Sequence, residues 1–247
     1  MKDVKKWEQE RFVPGSIVGV KIDGLCGRAK EGKILSTTGS AFTGLQHIEE
    51  KLNPWDELMG ELYIPGMEFN KASGIIRSHR KHKPEVRYAL FDNLMLSQLE
   101  YQLRFNDLTS NYPSLDVEEP ISFIPHMVVQ SLSVLDTLYQ DVLDAGFEGL
   151  VIKAPDGRWM KRKKTYKGHH VVLEVFEGKG KYLGMLGGVV IDMGNGITTR
   201  CAGFNDQQRS DFWEDPSLIL EHTILVHAME HTKTGRLRHA NFKEIVT

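Results

Sequence analysis

Cysteine is nearly absent: the 247 residues contain two, Cys26 and Cys201. Two cysteines supply neither a disulfide framework nor the ligand set of a structural zinc site, and they suit a reducing compartment. Long apolar runs are missing too; none approaches the roughly 20 residues that cross a bilayer. The first residues, Met1-Lys-Asp-Val-Lys-Lys-Trp7, carry charge with no apolar stretch behind them. No secretory signal is legible there, so a cytoplasmic protein with no membrane association is expected. Charge of one sign is also lacking: 31 Lys and Arg against 33 Asp and Glu leave a net of −2, which by itself points to no polyanionic partner. What is present, 40% hydrophobic and 26% charged residues without repeats or low-complexity tracts, is the composition of a folded protein. The length predicts one large domain or two modest ones.

The charge is neutral in sum but uneven along the chain. Between Lys153 and Lys181 there are nine Lys or Arg against three acids, and between Lys71 and Arg87 six against the single Glu85. Local basic clusters of this kind suit a phosphate-binding face, although a solvated surface is the commoner meaning of any one of them.

Short apolar blocks separated by turn signals run through most of the chain. Ser16 to Ile22 reads as a strand ending at Asp23-Gly24, with Gly32 to Ser36 as its hairpin partner. Thr43 to Leu52 has helical spacing, while Leu58 to Ile64 and Val86 to Phe91 read as strands. Leu132, Leu135, Leu138 and Val142 form one apolar stripe, so a helix is expected from Ser131 to Ala145 with Gly146 as its C-terminal cap; the buried strand Gly149–Ile152 follows. After the basic stretch come short apolar blocks at 171–176, 187–191, 196–201 and 218–229, a spacing that suggests a small β-barrel or sandwich. A domain boundary is placed near Tyr166–Gly168, giving domains 1–166 and 167–247.

Lys21-Ile-Asp-Gly24 puts a lysine, an acid and a glycine at the end of a strand. Met alone, this is a solvated lysine before a turn; in a suitable electrostatic setting it is a nucleophile. Further on come Gly60-Glu61, Ser73-Gly-Ile-Ile-Arg77, Tyr88-Ala-Leu-Phe-Asp-Asn-Leu94, Phe147-Glu-Gly-Leu-Val-Ile-Lys153 and Trp159-Met-Lys161-Arg-Lys163. In this order and spacing the segments resemble the covalent nucleotidyltransferases, specifically the ATP-dependent polynucleotide ligases, nearest the compact DNA ligases of phages and large viruses. The tail joins in: Gly178 to Gly187, Gly203 to Arg209 and Thr234 to Phe242 look like segments of a ligase OB domain.

The resemblance implies an α+β nucleotidyltransferase (adenylation) domain followed by a small all-β OB-fold barrel. It implies a monomer that clamps nicked duplex DNA between the two domains and uses ATP with Mg²⁺ or Mn²⁺. Lys21 would attack the α-phosphate of ATP and carry AMP, with Asp23 and Gly24 in the same motif. Glu61 would lie near the ribose and near the metal, Glu148 near the metal, and Phe91 would stack on adenine. Lys161 and Lys163 would reach the α-phosphate; as alternate residues of an extended chain they point to one side. Arg28, Arg77, Lys153, Lys164, Lys179 and Lys181 are the expected contacts to DNA phosphates.

The chain also departs from the family pattern. Cys26 stands where the first motif has arginine, and Arg28 is the nearest substitute. The next motif reads Ser36-Thr37 without its arginine, and Met59 replaces an acid before Gly60-Glu61. The alternatives are an RNA ligase on the same core, a capping guanylyltransferase that prefers GTP, or a nucleic-acid-binding OB protein with a degenerate, non-catalytic nucleotidyltransferase domain.

Overall fold

A computed structural model of the chain describes residues 4–116, 118–229, 231–232 and 234–246. The chain divides into two compact units, Met1–Arg162 and Lys163–Thr247. The elements of the first are β1 (Val4–Lys6), β2 (Ser16–Lys21), β3 (Leu25–Lys30), β4 (Lys33–Ser36), α1 (Gln46–Glu49), β5 (Leu58–Tyr63), α2 (Phe69–Arg77), β6 (Arg87–Asn93), α3 (Tyr101–Asn111), β7 (Ile121–Phe123), β8 (His126–Val129), α4 (Leu132–Asp144), β9 (Gly149–Lys153) and β10 (Trp159–Lys163), whose last residue opens the second unit. They build two five-stranded sheets, ordered β1-β10-β9-β2-β8 and β4-β3-β5-β6-β7.

Each sheet buries one face under helices. Leu135 and Val142 of α4 pack with Val18, Leu150 and Ile152 of the first sheet. Ala72 and Ile76 of α2 and Phe105 and Leu108 of α3 pack with Leu58, Leu62, Tyr88 and Leu90 of the second. Each such fully buried aliphatic or aromatic side chain contributes about 1.5–3 kcal/mol relative to exposure. A smaller cluster, Ile22, Tyr63, Ala89 and Ile124, with Val20 of β2 packed against it, joins the second sheet to the end of β2. The helix expected from its apolar stripe forms as α4. Ser131 Oγ accepts from the Val134 N–H at its start, and Gly146 takes φ +85° just past its end, where a side chain would be strained.

One pairing differs from the sequence expectation. The strand at 33–36 pairs with β3, which the sequence reading did not pick out, and β2 instead lies between β8 and β9. Ile22-Asp23-Gly24 is therefore a crossing from one sheet to the other, not a hairpin turn. Gly24 has to be glycine for steric reasons: a Cβ there would sit 2.4 Å from the Leu62 carbonyl oxygen and 2.7 Å from Glu61 Cγ. A Gly24→Ala protein is expected to lose about 1–3 kcal/mol of stability through the displaced backbone. Thermal melting checks this; an unchanged midpoint would contradict the crowding.

The second unit contains β11 (Tyr166–Glu177), β12 (Leu186–Asp192), β13 (Thr198–Cys201), α5 (Asp206–Glu214), β14 (Thr223–Ala228) and β15 (Asn241–Ile245). Its sheet runs β13-β12-β11-β14-β15. The long β11 is its spine: residues 166–171 pair with β14 and residues 172–177 with β12. A parallel bridge between Ala202 and Asn241 links the two ends of that strand order, and Val172, Leu186, Val189, Ile224, Val226 and Phe242 fill the interior. The helix α5, absent from the sequence reading, starts from an Asn205–Gln208 capping box. Among the described residues, no helix is long and apolar enough to cross a membrane.

Candidate active site

Lys21 is the last residue of β2 and pairs across the ladder with Gly149, the first of β9. Its amine forms an ion pair with the Glu148 carboxylate, and the Glu148 N–H donates to the Lys21 carbonyl at 3.1 Å. Two residues 127 positions apart are thus held together by main chain and side chain at once. The lysine is placed by a rigid, centrally paired strand, which limits the motion of its amine to its own four-carbon stem.

Glu61 reaches the same place from the second sheet, on β5 opposite Cys26 of β3. Burial pushes its carboxyl up to about 7; the Lys21 charge opposes this, the Glu148 and Asp23 carboxylates add to it, and a hydrogen bond from the Gly24 N–H opposes it again. This shift has a sign that can be tested. Between the unfolded value of 4.5 and about 7 the folded protein holds the proton more tightly, so this contribution to stability is complete below about 4.5 and is lost as pH rises through 7. At 1.36 kcal/mol per unit the loss is roughly 3 kcal/mol. A Glu61→Gln protein is expected to gain stability relative to the parent on going from pH 5 to pH 8, by about that amount. Urea unfolding at the two pH values measures it, and parallel curves for the two proteins would contradict it.

Cys26 is the other nucleophilic side chain close to Lys21 and Glu61. Burial, with the Glu61 charge behind it, pushes the thiol up to about 12, so it stays protonated and inert at neutral pH.

Phe91 packs against the cluster that contains Ile22, next to Lys21, and Val20 and Phe147, the residues before Lys21 and Glu148, pack against the same cluster. Lys21, Asp23, Gly24, Glu61, Glu148 and Phe91 therefore converge, with Cys26 beside them. Lys161 and Lys163 occupy alternate, partly exposed positions on β10, which lies beyond β9 from β2. Arg28 is exposed and ion-paired with Glu57, and Arg77 is exposed at the last position of α2. Lys164, Lys179 and Lys181 are exposed in the second unit.

Lys153 departs from its expected place on DNA phosphates: it is only 3% exposed. Its amine bonds the Tyr101 hydroxyl and, at 2.7 Å, His126 Nε2, and it lies over the rings of Tyr101 and Trp159 at 3.8 and 4.6 Å. A side chain enclosed this way cannot reach a phosphate on the surface. Tyr101, His126, Asp92 and Arg104 form a buried polar network that no motif in the sequence announced; its members only meet once α3, β8 and β9 fold around β6.

The carboxylates Glu61 and Glu148 are hard oxygen donors of the kind Mg²⁺ takes. Among the described residues no group of three or more His, Cys, Asp or Glu side chains is placed to hold a metal ion by itself, but Mg²⁺ bound between one or two carboxylates and substrate phosphates needs none.

The class is given by two family models, which together make the chain a nucleotidyltransferase of the ligase type with an OB-like second domain. Residues 60–168 match the family model of the ATP dependent DNA ligase domain, and residues 177–245 that of the DNA ligase OB-like domain. The chain belongs to the ATP-dependent DNA ligase family, and it is an enzyme of that class. Solved structures share its fold. A Lig E DNA ligase, 19% identical, superposes with a TM-score of 0.82 over 100% of this chain and 98% of its own. The Chlorella virus DNA ligase-adenylate is 20% identical, with a TM-score of 0.55 over 99% and 96% of the two chains. The ATP-dependent DNA ligase of bacteriophage T7, in complex with ATP, is 18% identical, with a TM-score of 0.55 over 99% and 98%. No curated protein matches the chain.

Proposed function

We propose that the protein uses ATP to seal nicks bearing a 5′-phosphate and a 3′-hydroxyl in duplex DNA, carrying AMP on Lys21. The observation that supports this most is the Lys21–Glu148 ion pair at the end of β2, with the Glu61 carboxylate close by. The Lys21 ammonium gives up a proton, for which the Glu148 carboxylate is the hydrogen-bonded acceptor. The Nζ lone pair then forms a bond to the α-phosphorus of ATP as the bond to the bridging oxygen breaks and pyrophosphate leaves. The lysyl-AMP phosphoramidate passes AMP to the 5′-phosphate of the nick, and the 3′-hydroxyl displaces AMP to join the strand.

Catalysis of such transfers is mostly positioning and charge neutralisation. Phe91 is assigned to the adenine, Asp23 and Gly24 to the strand-end turn that presents Lys21, and Lys161 and Lys163 to the α-phosphate. Glu61 serves the ribose side and, with Glu148, would hold Mg²⁺. Bound there, the cation would neutralise phosphate charge. The exposed Arg77, Lys164, Lys179 and Lys181 are assigned to the DNA backbone, where contacts are sequence-independent. Arg28 would join them only by leaving Glu57. The domain boundary is proposed at residues 166–167.

The test is sealing of a singly nicked duplex in ATP and Mg²⁺ beside a Lys21→Ala protein. Sealing by the parent alone is expected. Equal sealing by both would overturn the assignment of Lys21, and no sealing by a folded parent would overturn the function.

A further inference from the structure

Phe91 sits at an irregularity in its sheet. Across the β5–β6 ladder Gly60 pairs with Leu90 and Met59 with Asp92, so Phe91 is the extra residue of a β-bulge. Bulges re-aim a side chain out of the regular alternation, and they must be held because the ladder no longer holds them. Here the holding groups are side chains. The Phe91 carbonyl accepts from the Tyr101 hydroxyl at 2.6 Å and from Lys153 Nζ at 3.4 Å. On the other side of the bulge, Arg104 grips the Asp92 carboxylate with two bonds of 2.7 and 3.1 Å.

The lysine is itself fixed. His126 Nδ1 lies 2.6 Å from the Ile124 carbonyl and so carries the ring proton, which leaves Nε2 as the acceptor for the Lys153 amine. The Lys153 amine thus has three acceptors, His126 Nε2, the Tyr101 oxygen and the Phe91 carbonyl. The same amine lies 5.8 Å from the centre of the Phe91 ring, so it sits near both the carbonyl and the ring of the bulged residue. The imidazole lies across Gly19 of β2, where a Cβ would stand 2.6 Å from Nε2. The box is therefore built against the strand that ends in Lys21.

We propose that Lys153 and Tyr101 are positioning residues that set the tilt of the Phe91 ring and thereby the recognition of the purine base of the nucleotide. The inference rests on the assignment of Phe91 as the base platform. Loosening the carbonyl clamp lets the bulge relax toward regular pairing and turns the ring away from the base, while Lys21, Glu61 and Glu148 keep their places. Base affinity suffers and phosphate affinity does not.

The experiment measures self-adenylylation of the full chain with ATP, with GTP, and with ATP in the presence of inorganic tripolyphosphate as a base-free competitor. The proteins are the parent, Tyr101→Phe, Lys153→Met and Phe91→Leu. Tyr101→Phe removes one hydroxyl and keeps the ring, so it remains informative if Lys153→Met fails to fold. Expected for Tyr101→Phe is a KM for ATP raised about 5–20-fold, with kcat within about threefold of the parent. The preference for ATP over GTP narrows, and inhibition by tripolyphosphate is unchanged. Phe91→Leu shows the same pattern, larger. If Phe91→Leu raises KM but Tyr101→Phe does not, the clamp is wrong and the platform stands. If Phe91→Leu leaves KM unchanged, the platform assignment fails and takes the clamp with it. A Tyr101→Phe protein that loses kcat, ATP affinity and tripolyphosphate affinity together has a general structural defect, which also overturns the proposal.

Discussion

A Lys21→Ala protein is expected to take up no label from ATP carrying ³²P at the α-position and to seal nicks at least about 10⁴-fold more slowly than the parent. The size of the effect follows from what the residue is asked to do. The nearby thiol of Cys26 is held protonated by burial, so it does not take over as nucleophile. Removing the nucleophile also takes one cation away from the partly buried Glu148, so stability is read alongside activity. Supplying a nick that already carries AMP on its 5′-phosphate bypasses the missing step. The Lys21→Ala protein is expected to close that nick while remaining inactive with ATP. Failure on both substrates, with melting unchanged, would mean that Lys21 also serves the joining step.

The second large effect is on folding. Arg104 and Asp92 are 5% and 6% exposed and joined by a two-pronged ion pair, and Arg104 also donates to the Leu99 carbonyl at 2.7 Å. Arg104→Met leaves Asp92 buried and uncompensated, at a cost of about 3–5 kcal/mol. For a chain of this size that lowers the melting midpoint by about 6–20 °C. Removing both charges in Arg104→Met/Asp92→Leu is expected to recover most of the loss, because apolar replacements of a buried pair are often neutral or better. If the double variant is as unstable as the sum of the two single ones, the pair is not coupled as drawn. The same variants bear on the site, since Asp92 adjoins the bulge that aims Phe91.

Particular elements show what could be read in advance. The segment Lys21–Gly24, Glu61, Phe91 and Glu148 come from separate parts of the chain yet converge around the two sheets. Helix α4, its Ser131 cap and its Gly146 stop were legible because each depends on neighbours within one or two turns. The partner of β4 was not, because Asp-Gly marks a change of direction without saying whether the chain returns to its own sheet or crosses to another. Helices α2, α3 and α5 were missed. In α5 only Arg209 is buried, and it bonds the carbonyls of Leu186 and Gly187, so no apolar stripe betrays the helix.

The basic clusters show the same division. Counting charges between residues 153 and 181 put Lys153 with its neighbours; the fold separates it from them and encloses it in aromatic rings. Motif order, through the resemblance it carries, thus pointed on its own to a nucleotidyltransferase of the ligase family and to the side chains proposed for its chemistry. Those properties depend on residue identity and spacing along the chain. Which strands pair, which lysine is buried, and how Phe91 is held were decided by tertiary structure alone. Burial and hydrogen bonding are set by groups that lie tens of residues away and have no local pattern to announce them.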